Sequence, residues 1–475
     1  MGRPGPPTAA SSPLPPFTAS HPHILTPHGR VLSWGVARRR LGALWGVFAI
    51  IALYNIGLLL LSPAIALGLA LRLARGKSRA GWGERWGRLP AVAPASGQRV
   101  WVHGASVGEV SAVTPILRAL KAARSDVDVV ITCITPGGHE TASKLVPGLA
   151  SAALYAPFDV PFVVRRFLRA LRPDLLVVVE TELWPNLLHQ AHCARVPALL
   201  VSGRISDRSF PRYLRARPLT QAALGLFRRV LAQTETDAER LRALGAPVGI
   251  VSVVGNPKFD QRTPCLTDAE AAALRLELGL AADRPTLVVG STRSTEEEEA
   301  VLGAFMTARA ALLGLQLLHA PRHPDRADDL AALMRRVGLE PARRSAREAA
   351  VDGVVILDTF GELARAYAAG DVAFIGNSLS EPGGGQNLLQ PLAQGKAVLH
   401  GPRMQNFRDI TALAAQAGVA FEVRSQRELA DALLELLADP DRRARIARTA
   451  LALIEANQGA SETYARAIAE ALEGR

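Results

Sequence analysis

Two glutamates that follow an apolar run are the most informative feature of this chain. Glu180 and Glu182 come directly after Leu175–Val179, a run that predicts a strand buried on both faces of a parallel sheet. Ligands of open α/β sheets bind at the carboxyl ends of the strands. A carboxylate at that place is more typical of a chemical role than of a structural one, so the sequence predicts an enzyme. The alternative is a salt-bridged pair that closes the end of the strand.

A third carboxylate, Glu109, ends a segment that begins with another apolar strand, residues 101–109. Small residues separate the strand from Glu109, which begins a predicted helix, and the free N–H groups at a helix start can hold an anion. Glu109 is a candidate general base, provided that burial offsets the lowering of its pKa expected in a first helical turn. A carboxylate that only stabilises the helix dipole is an equal alternative.

A lysine, Lys258, lies in residues 254–260, at the predicted junction of two domains. An ammonium group there can neutralise a phosphate on either side of a cleft. An exposed lysine in a linker would have the same spacing and is the alternative.

Glycine is densest in residues 380–391, which follow one predicted strand and precede a short predicted helix. Backbone amides freed by the three glycines at 383–385 can cradle a phosphate, whereas a mere flexible loop is the alternative. Residues 320–324 and 358–363 also follow predicted strands at the same sheet edge. Loops that carry arginine, glycine and a carboxylate at one edge predict a nucleotide site.

Composition excludes several classes of protein. The 475-residue chain has a formal net charge of +12 and three cysteines without a C-x-x-C pair, which favours a reducing compartment. It has no G-x-G-x-x-G motif for a nicotinamide cofactor, and no signature of a nucleic-acid partner. His189 and His192 alone are weak support for a metal site, so no metal and no cofactor is predicted. The charge therefore indicates anionic lipid or a phosphorylated substrate.

The first 80 residues predict a tail and a membrane anchor. Residues 1–36 are rich in proline, serine and threonine, which predicts disorder. Residues 41–71 hold no charge, and this run exceeds the roughly 20 residues that span a bilayer. Basic residues flank it, more of them on the C-terminal side, so residues 37–80 are predicted to anchor the chain with the main body cytoplasmic. A re-entrant or interfacial anchor split at Pro63, or a buried core helix, are the alternatives.

From residue 98 onward, apolar strands alternate with helix-length segments, which predicts parallel sheets with right-handed crossovers. The strands fall into two sets. They predict an α/β fold of two Rossmann-like domains that face each other across a cleft, residues 81–256 and residues 257–475, with the boundary near 256–283. The second domain is predicted to end in a closing helix at 461–472. The predicted strands are residues 100–102, 127–134, 175–179, 198–201, 230–232, 250–254, 286–289, 315–319, 354–357, 372–375 and 397–399.

The segments together closely resemble the motifs of the Kdo transferases (3-deoxy-D-manno-octulosonic acid transferases) of lipopolysaccharide assembly. The resemblance runs from about residue 82 to residue 409, and the motifs occur in the family's order. The N-terminal tail lies outside it. The matching segments are residues 82–87, 106–109, 180–186, 203–209, 255–260, 291–297, 321–324, 358–363, 384–387 and 401–407.

The resemblance implies the two-domain GT-B glycosyltransferase fold and an inverting, metal-independent transfer of Kdo from CMP-Kdo to the lipid A precursor lipid IVA. It implies Glu109 as the general base, and Glu180 and Lys258 as groups that stabilise the transition state. It also implies a place at the cytoplasmic face of the inner membrane, with donor, lipid acceptor and the anionic membrane surface as partners. The residues implied to bind CMP are Pro321, Arg322, Phe360, Gly361, Glu362, Asn387, Leu388, Leu389 and Gln390.

The chain departs from the family's pattern at five positions. Gln386, Arg293 and Arg403 stand where histidines are frequent, Leu388 replaces a proline, and Gln390 replaces a glutamate that contacts the ribose. A neutral Gln390 is expected to hold a hydroxyl more weakly than a carboxylate would. Two alternatives therefore stay open: a GT-B transferase or epimerase that uses another nucleotide sugar, and an inactive membrane-tethered protein that binds nucleotide sugars.

Overall fold

The computed structural model describes Gly2 and residues 23–25, 31–74, 80–146, 148–261, 264–348 and 350–474. At the N-terminal end, strands β1 (His23–Leu25) and β2 (Val31–Ser33) pair in antiparallel fashion. The long helix α1 (Trp34–Ala74) follows them. The prediction of disorder up to residue 36 is wrong for these two strands and the start of α1, because the two three-residue segments pair with each other. The rest of that tail, Gly2 aside, lies outside the described residues.

Helix α1 is continuous through Pro63, so the split at the proline, which only the re-entrant or interfacial alternative assumed, does not occur. A proline has no N–H to donate to the carbonyl four residues earlier, which here is that of Leu59. The hydroxyl of Ser62 donates to the Leu59 carbonyl oxygen instead, at 2.7 Å. That hydrogen bond satisfies the orphaned acceptor and lets the helix continue.

The first large sheet contains seven parallel strands. The strands are β3 (Arg99–His103), β4 (Asp128–Cys133), β5 (Ala152–Tyr155), β6 (Leu175–Val179), β7 (Ala198–Gly203), β8 (Arg229–Ala232) and β9 (Val251–Val253). The helices around it are α2 (Trp82–Arg85), α3 (Val107–Ala123), α4 (Pro136–Ser143), α5 (Pro161–Leu171), α6 (Pro185–Cys193), α7 (Phe210–Arg215), α8 (Arg217–Leu224) and α9 (Glu235–Ala243). The spatial order is β5-β4-β3-β6-β7-β8-β9. The order reverses between β3 and β6, where an open sheet offers a crevice for ligands.

The second sheet has the same construction. Its strands are β10 (Thr286–Thr292), β11 (Gln316–Pro321), β12 (Ala342–Arg343), β13 (Val354–Ile356), β14 (Val372–Ile375), β15 (Ala397–His400) and β16 (Ala420–Glu422). The helices around it are α10 (Asp268–Glu277), α11 (Thr295–Ala311), α12 (Ala327–Arg336), α13 (Leu363–Ala366), α14 (Leu389–Leu392), α15 (Arg408–Gln416), α16 (Gln426–Ala438) and α17 (Pro440–Ala456), and a further helix, α18 (Ala460–Glu473), follows α17. The spatial order is β12-β13-β11-β10-β14-β15-β16, so the reversal lies between β10 and β14.

All eleven predicted strands are present, and the α/β prediction of two parallel sheets is confirmed. Besides β1 and β2, three strands of the two large sheets escaped prediction: β5, β12 and β16. Each lies at the edge of its sheet and pairs on one side only. An edge strand needs fewer buried apolar residues than a central one, so its sequence carries a weaker signal.

The C-terminal helix α18 is close to its predicted position but belongs to the first core. Tyr464, Ile468 and Leu472 are buried together with Val113 and Leu117 of α3. The prediction assigned this helix to the second domain by its place in the sequence. Its apolar face instead covers the first sheet, so the chain crosses between the two halves twice.

A single carboxylate joins the segment between the two sheets to α18. Asp260 accepts hydrogen bonds from the backbone N–H groups of Gly459 and Ser461, both at 2.7 Å. These are the free donors at the start of α18, and a carboxylate there satisfies them and offsets the helix dipole. Asp260 therefore fixes the position of Lys258, two residues earlier, relative to the first domain.

We expect Asp260→Ala to lower the free energy of unfolding by about 1–2 kcal/mol, the usual cost of removing a helix cap. Urea denaturation followed by circular dichroism measures this. The matched control is Asp283→Ala, an exposed aspartate of the second domain, which should change the midpoint little. An equal loss in both variants would contradict the capping role.

Candidate active site

The carboxyl ends of the two sheets enclose a cavity of about 670 Å³. It contains the three predicted catalytic residues, Glu109, Glu180 and Lys258, and one predicted nucleotide-binding residue, Arg322. Four cationic and two acidic side chains line it, which suits an anionic ligand. Its polar lining groups are Ser106, Glu109, Glu180, Thr181, Arg204, Ser206, Ser209, Lys258, Arg293, Arg322, His323, Gln386, Gln405 and Asn406.

Glu109 lies in the first turn of α3, just after β3. One carboxylate oxygen accepts from the backbone N–H of Ala105 at 2.5 Å, and the other accepts from the Ser106 hydroxyl at 3.1 Å. The side chain is nevertheless almost buried, with 9% of its surface exposed. Burial, and next the charge of Glu182, raise the pKa of Glu109 to about 8. A carboxyl group with such a pKa can accept a proton near neutral pH, as a general base must.

Glu180 and Glu182 have different surroundings, although both follow β6. Glu180 lines the cavity, and its backbone φ of 58° lies in the left-handed region, which costs a non-glycine residue about 1 kcal/mol. This conformation ends the regular alternation of the strand. Glu182 accepts from the indole N–H of Trp184 at 2.7 Å, and burial raises its pKa. One carboxylate thus faces the cavity, and the other fixes the loop behind it.

Left-handed backbone also occurs at the ends of three other strands. Ser202 of β7, Ser291 of β10 and Asn377 after β14 all have φ between 55° and 63°. Together with Glu180 they lie at the carboxyl ends of β6, β7, β10 and β14. Non-glycine residues in this region persist where the surrounding structure holds them, and they concentrate at functional sites.

Lys258 lies in a short 3-10 helix, Pro257–Asp260, between the two sheets. Asn256 caps this helix, since its side-chain oxygen accepts from the N–H of Lys258 at 3.0 Å. The ammonium nitrogen is 5.3 Å from the ring centre of Phe407, which comes from the second domain. Burial lowers the pKa of Lys258, while the negative charge of Glu180 opposes that change. Lys258 and Glu180 therefore form one electrostatic unit inside the cleft.

A buried carboxylate of the second domain holds the loop that leads to the glycine-rich segment. Glu297, 1% exposed, accepts from the N–H groups of Asn377, Ser378 and Leu379 at 2.6, 2.8 and 2.9 Å. The Asn377 side chain in turn donates to the carbonyl of Gly383 at 2.9 Å. The segment is thus anchored by specific hydrogen bonds.

The third glycine of this segment has no room for a side chain. Gly385 has a φ of +72°, and a Cβ atom there would lie 2.3 Å from the sulfur of Met404. Its backbone lines the cavity opposite Glu109. Glycine therefore lets the main chain itself form part of the cavity wall.

The other residues predicted to bind the nucleotide are not gathered around Glu109. Pro321 ends β11, and the side chain of Leu388 is fully buried in the second core, so only its backbone is available to a ligand. Asn387, Leu389 and Gln390 line a separate cavity of about 280 Å³ against α3.

The segment 360–362 also lies outside both cavities. Phe360 is 82% exposed, and Gly361 has a left-handed φ of +87°. Glu362 forms an ion pair with Arg344 at 3.0 Å. This pair, together with the hydroxyl of Thr359, keeps the pKa of Glu362 below its ordinary value.

Two arginines of the cavity were missing from the predicted site. Arg204 follows β7 and Arg293 follows β10, and both line the cavity. The end-of-strand rule that identified Glu180 applies equally to them. Within the part of the chain that the structure describes, no three His, Cys, Asp or Glu side chains are grouped so that they could hold a metal ion.

Comparison with known proteins connects this architecture to one family. A sequence profile described as "3-Deoxy-D-manno-octulosonic-acid transferase (kdotransferase)" matches residues 80–261. The 3-deoxy-D-manno-octulosonic acid transferase of Bordetella pertussis is 36% identical over 388 residues, which cover 79% of this chain and 88% of the relative. The transferase of the same description from Haemophilus influenzae is 32% identical over 380 residues, with the same coverage of each chain.

Solved structures identify the fold. Anabaena HepE in complex with UDP aligns with a TM-score of 0.53 at 15% identity, over 80% of this chain and 100% of that one. A UDP-N-acetylglucosamine 2-epimerase, described as putative, from Listeria monocytogenes aligns with a TM-score of 0.50 at 14% identity, over 79% of this chain and 96% of that one. At such identities the likeness concerns the fold alone. The two facing parallel sheets are the GT-B fold, and the predicted fold class is confirmed.

Proposed function

This chain belongs to the Kdo transferase family of glycosyltransferases, and on that premise we propose that it transfers Kdo from CMP-Kdo to a hydroxyl group of lipid IVA. The observation that carries the proposal is the position of Glu109. Its buried carboxylate, with a pKa raised to about 8, faces a cavity that also holds Glu180 and Lys258. A base on one wall and cations on the other suit an alcohol that attacks a sugar bearing an anionic leaving group.

The transfer needs one proton acceptor and one stabilised leaving group. The acceptor hydroxyl gives its proton to Glu109 while its oxygen bonds to the anomeric carbon of Kdo. The bond from that carbon to the phosphate oxygen breaks, and its electron pair leaves with CMP. Attack from the face opposite CMP inverts the anomeric centre.

Positive charge for the departing CMP comes from the cavity itself. Lys258, Arg293 and Arg322 all line it, and the backbone of Gly385 forms part of the same wall. Preorganised cations and N–H groups stabilise developing negative charge most strongly in a cleft that excludes water. This set of groups supports a reaction that needs no metal ion.

The acceptor and the location are inferred from the N-terminal helix. Among the residues that the structure describes, one helix, with the segment Gly46–Leu71 as its apolar part, is long and apolar enough to cross a membrane. Basic residues flank it in the sequence, which is typical of a segment near anionic headgroups on the cytoplasmic side. An enzyme held there meets a lipid acceptor at the surface of its own membrane.

The deciding experiment supplies purified full-length protein in detergent with CMP-Kdo and lipid IVA. We expect saturable release of CMP, and a mass gain of one Kdo residue per transfer on the lipid. Nuclear magnetic resonance of the product gives the anomeric configuration, and a chelator tests the metal independence. UDP-sugars serve as competing donors.

Two outcomes would replace the proposal. Turnover of a UDP-sugar, but not of CMP-Kdo, would indicate a GT-B enzyme of another specificity. Saturable binding of CMP-Kdo without release of CMP would indicate the inactive binding protein, for which Gln386 and Gln390 are the motivation.

A further inference from the structure

Helix α1 is joined to the first domain by polar contacts near its middle. The Tyr54 hydroxyl donates to the carboxylate of Asp159 at 3.1 Å, and the side-chain amides of Asn55 and Asn186 exchange two hydrogen bonds at 2.9 Å. Asp159 also accepts from the N–H groups of Asn186 and Leu187 at 3.1 and 2.8 Å. These contacts, the α1 clamp, hold residues 54–55 at the start of α6.

The turns of α1 before the clamp also lie against the domain. Ile51 is 3% exposed, and the ring of Phe48 meets that of His189 edge-on at 4.9 Å. The hollows beside these turns are lined by exposed arginines, among them Arg195, Arg217 and Arg228. A bilayer core around residues 46–55 would have to cover these guanidinium groups, which is costly. This part of α1 therefore lies outside the hydrocarbon.

Beyond the clamp the helix stands away from the protein. Its large apolar side chains are exposed in every direction, which in water is unfavourable and in lipid is not. No polar face remains that would suit water. The exposed fractions are 53% for Ile56, 72% for Leu59, 75% for Leu60, 59% for Leu61, 62% for Leu67 and 49% for Leu71.

After α1 the chain comes back to the first domain beside the α1 clamp. The rings of Trp82 and Trp86 contact Phe158 at 5.9 and 5.0 Å, next to the Asp159 that holds Tyr54. Trp86 also stacks on Phe162 at 6.3 Å, and both rings are more than one-third exposed. Exposed tryptophan and phenylalanine beside basic residues are typical of the headgroup level of a membrane.

We propose that residues 56–71 insert into an anionic bilayer from one side without crossing it, so that residues 31–55 stay on the same side as the catalytic cleft. The inference rests on the proposed function, which places the protein at a membrane. It adds how the chain enters that membrane. If α1 crossed, the seven residues 75–81 would have to cross back to reach Trp82. The eight Cα–Cα steps from Ala74 to Trp82 reach at most about 29 Å when fully extended, which does not exceed the ~30 Å hydrocarbon core and falls well short of the ~40 Å that includes the headgroup regions.

A second crossing would also bury charge and unpaired backbone. Residues 75–81 include Arg75, Lys77 and Arg79. Any part of such a crossing that were not helical would leave its N–H and C=O groups without partners in lipid, and each cation would add a further cost. On the near side the same cations gain about 1 kcal/mol each from anionic headgroups. Charge and chain length thus favour the same arrangement.

The topology test uses the full chain with two cleavage sites for a specific protease, one inserted ahead of residue 31 and one after residue 475. We expect the protease to cut both sites in inverted inner-membrane vesicles and neither site in spheroplasts. Cleavage of the first site only in spheroplasts, with the second cut only in inverted vesicles, would overturn the proposal. This readout does not depend on turnover, so failure of the proposed function is detected separately, by the CMP-release assay.

The insertion test uses vesicles of phosphatidylglycerol and phosphatidylethanolamine. The full chain should sediment with them, and the double variant Leu60→Asp, Leu67→Asp should lose at least 90% of that binding. The matched control is Leu313→Asp, at an 89% exposed leucine of the second domain, which should bind as the parent does. An unbound parent chain, or a double variant that binds like the control, would overturn the proposal.

Discussion

Replacement of Glu109 by glutamine is expected to lower kcat about 10³-fold, with CMP affinity nearly unchanged. Glutamine has the same shape and can still accept from the N–H of Ala105, but it cannot take a proton from the acceptor hydroxyl. General bases typically contribute 10²–10⁴-fold. The assay is CMP release with the lipid acceptor, and calorimetric titration of CMP gives the affinity. Near-normal turnover in this variant would remove Glu109 from the base role.

A stability measurement separates this loss of chemistry from a loss of folding. The pKa of Glu109 is raised to about 8 in the folded protein, so the folded state keeps this proton to a higher pH than the unfolded chain does. The free energy of unfolding therefore falls as pH rises from about 4.5 to about 8. Glutamine at this position does not ionise, so the Glu109→Gln variant does not lose this stability as pH rises. It should be more stable than the parent at pH 9, by on the order of 4 kcal/mol, and equal to it near pH 4.

The same pKa sets the pH dependence of the parent enzyme. Transfer requires ionised Glu109, so kcat/KM should rise with pH and level off above about 8. After burial, the negative charge of Glu182 contributes most to raising that pKa. Glu182→Gln should therefore shift the rise of kcat/KM toward lower pH. Glu296→Gln, an exposed glutamate in the first turn of α11, is the control and should leave the profile in place.

Periodicity and strand ends predicted the fold because buried parallel strands are short, apolar and repeated. Leu175–Val179 is β6 to the residue, and every central strand of both sheets was found. The missed edge strand β12 shows the limit, since Ala342 and Arg343 have no apolar run to reveal them. Whether such a strand forms depends on the strand that it pairs with, and that partner is distant in the sequence.

Side-chain direction could not be predicted in the same way. The sequence places Glu180 and Glu182 two residues apart, which in a regular strand would aim them to one face. The left-handed φ of Glu180 breaks that regularity, so only one of them lines the cavity. Similarly, Leu388 is a motif neighbour of Gly385, yet its side chain is in the core. A motif locates a loop, whereas the packing of the loop decides which atoms face the ligand.

Replacement of Lys258 by methionine is the second large effect that we expect, a loss of about 10²–10³-fold in kcat. Methionine keeps the length of the side chain and its packing near Phe407, but removes the charge that faces Glu180 and the departing phosphate. Lys258→Arg restores a cation and should recover part of the loss. CMP release under saturating donor measures both variants.

The control for Lys258→Met is Lys396→Met, because both lysines are partly buried and burial lowers the pKa of both. Only Lys258 lines the cavity. A lysine with a lowered pKa costs stability while it is charged, so each methionine variant should unfold at a higher denaturant concentration at pH 7. That gain should shrink as pH rises toward the ordinary lysine pKa. Equal kinetic losses in the two variants would point to damaged packing, whereas a loss confined to Lys258→Met requires its charge inside the cleft.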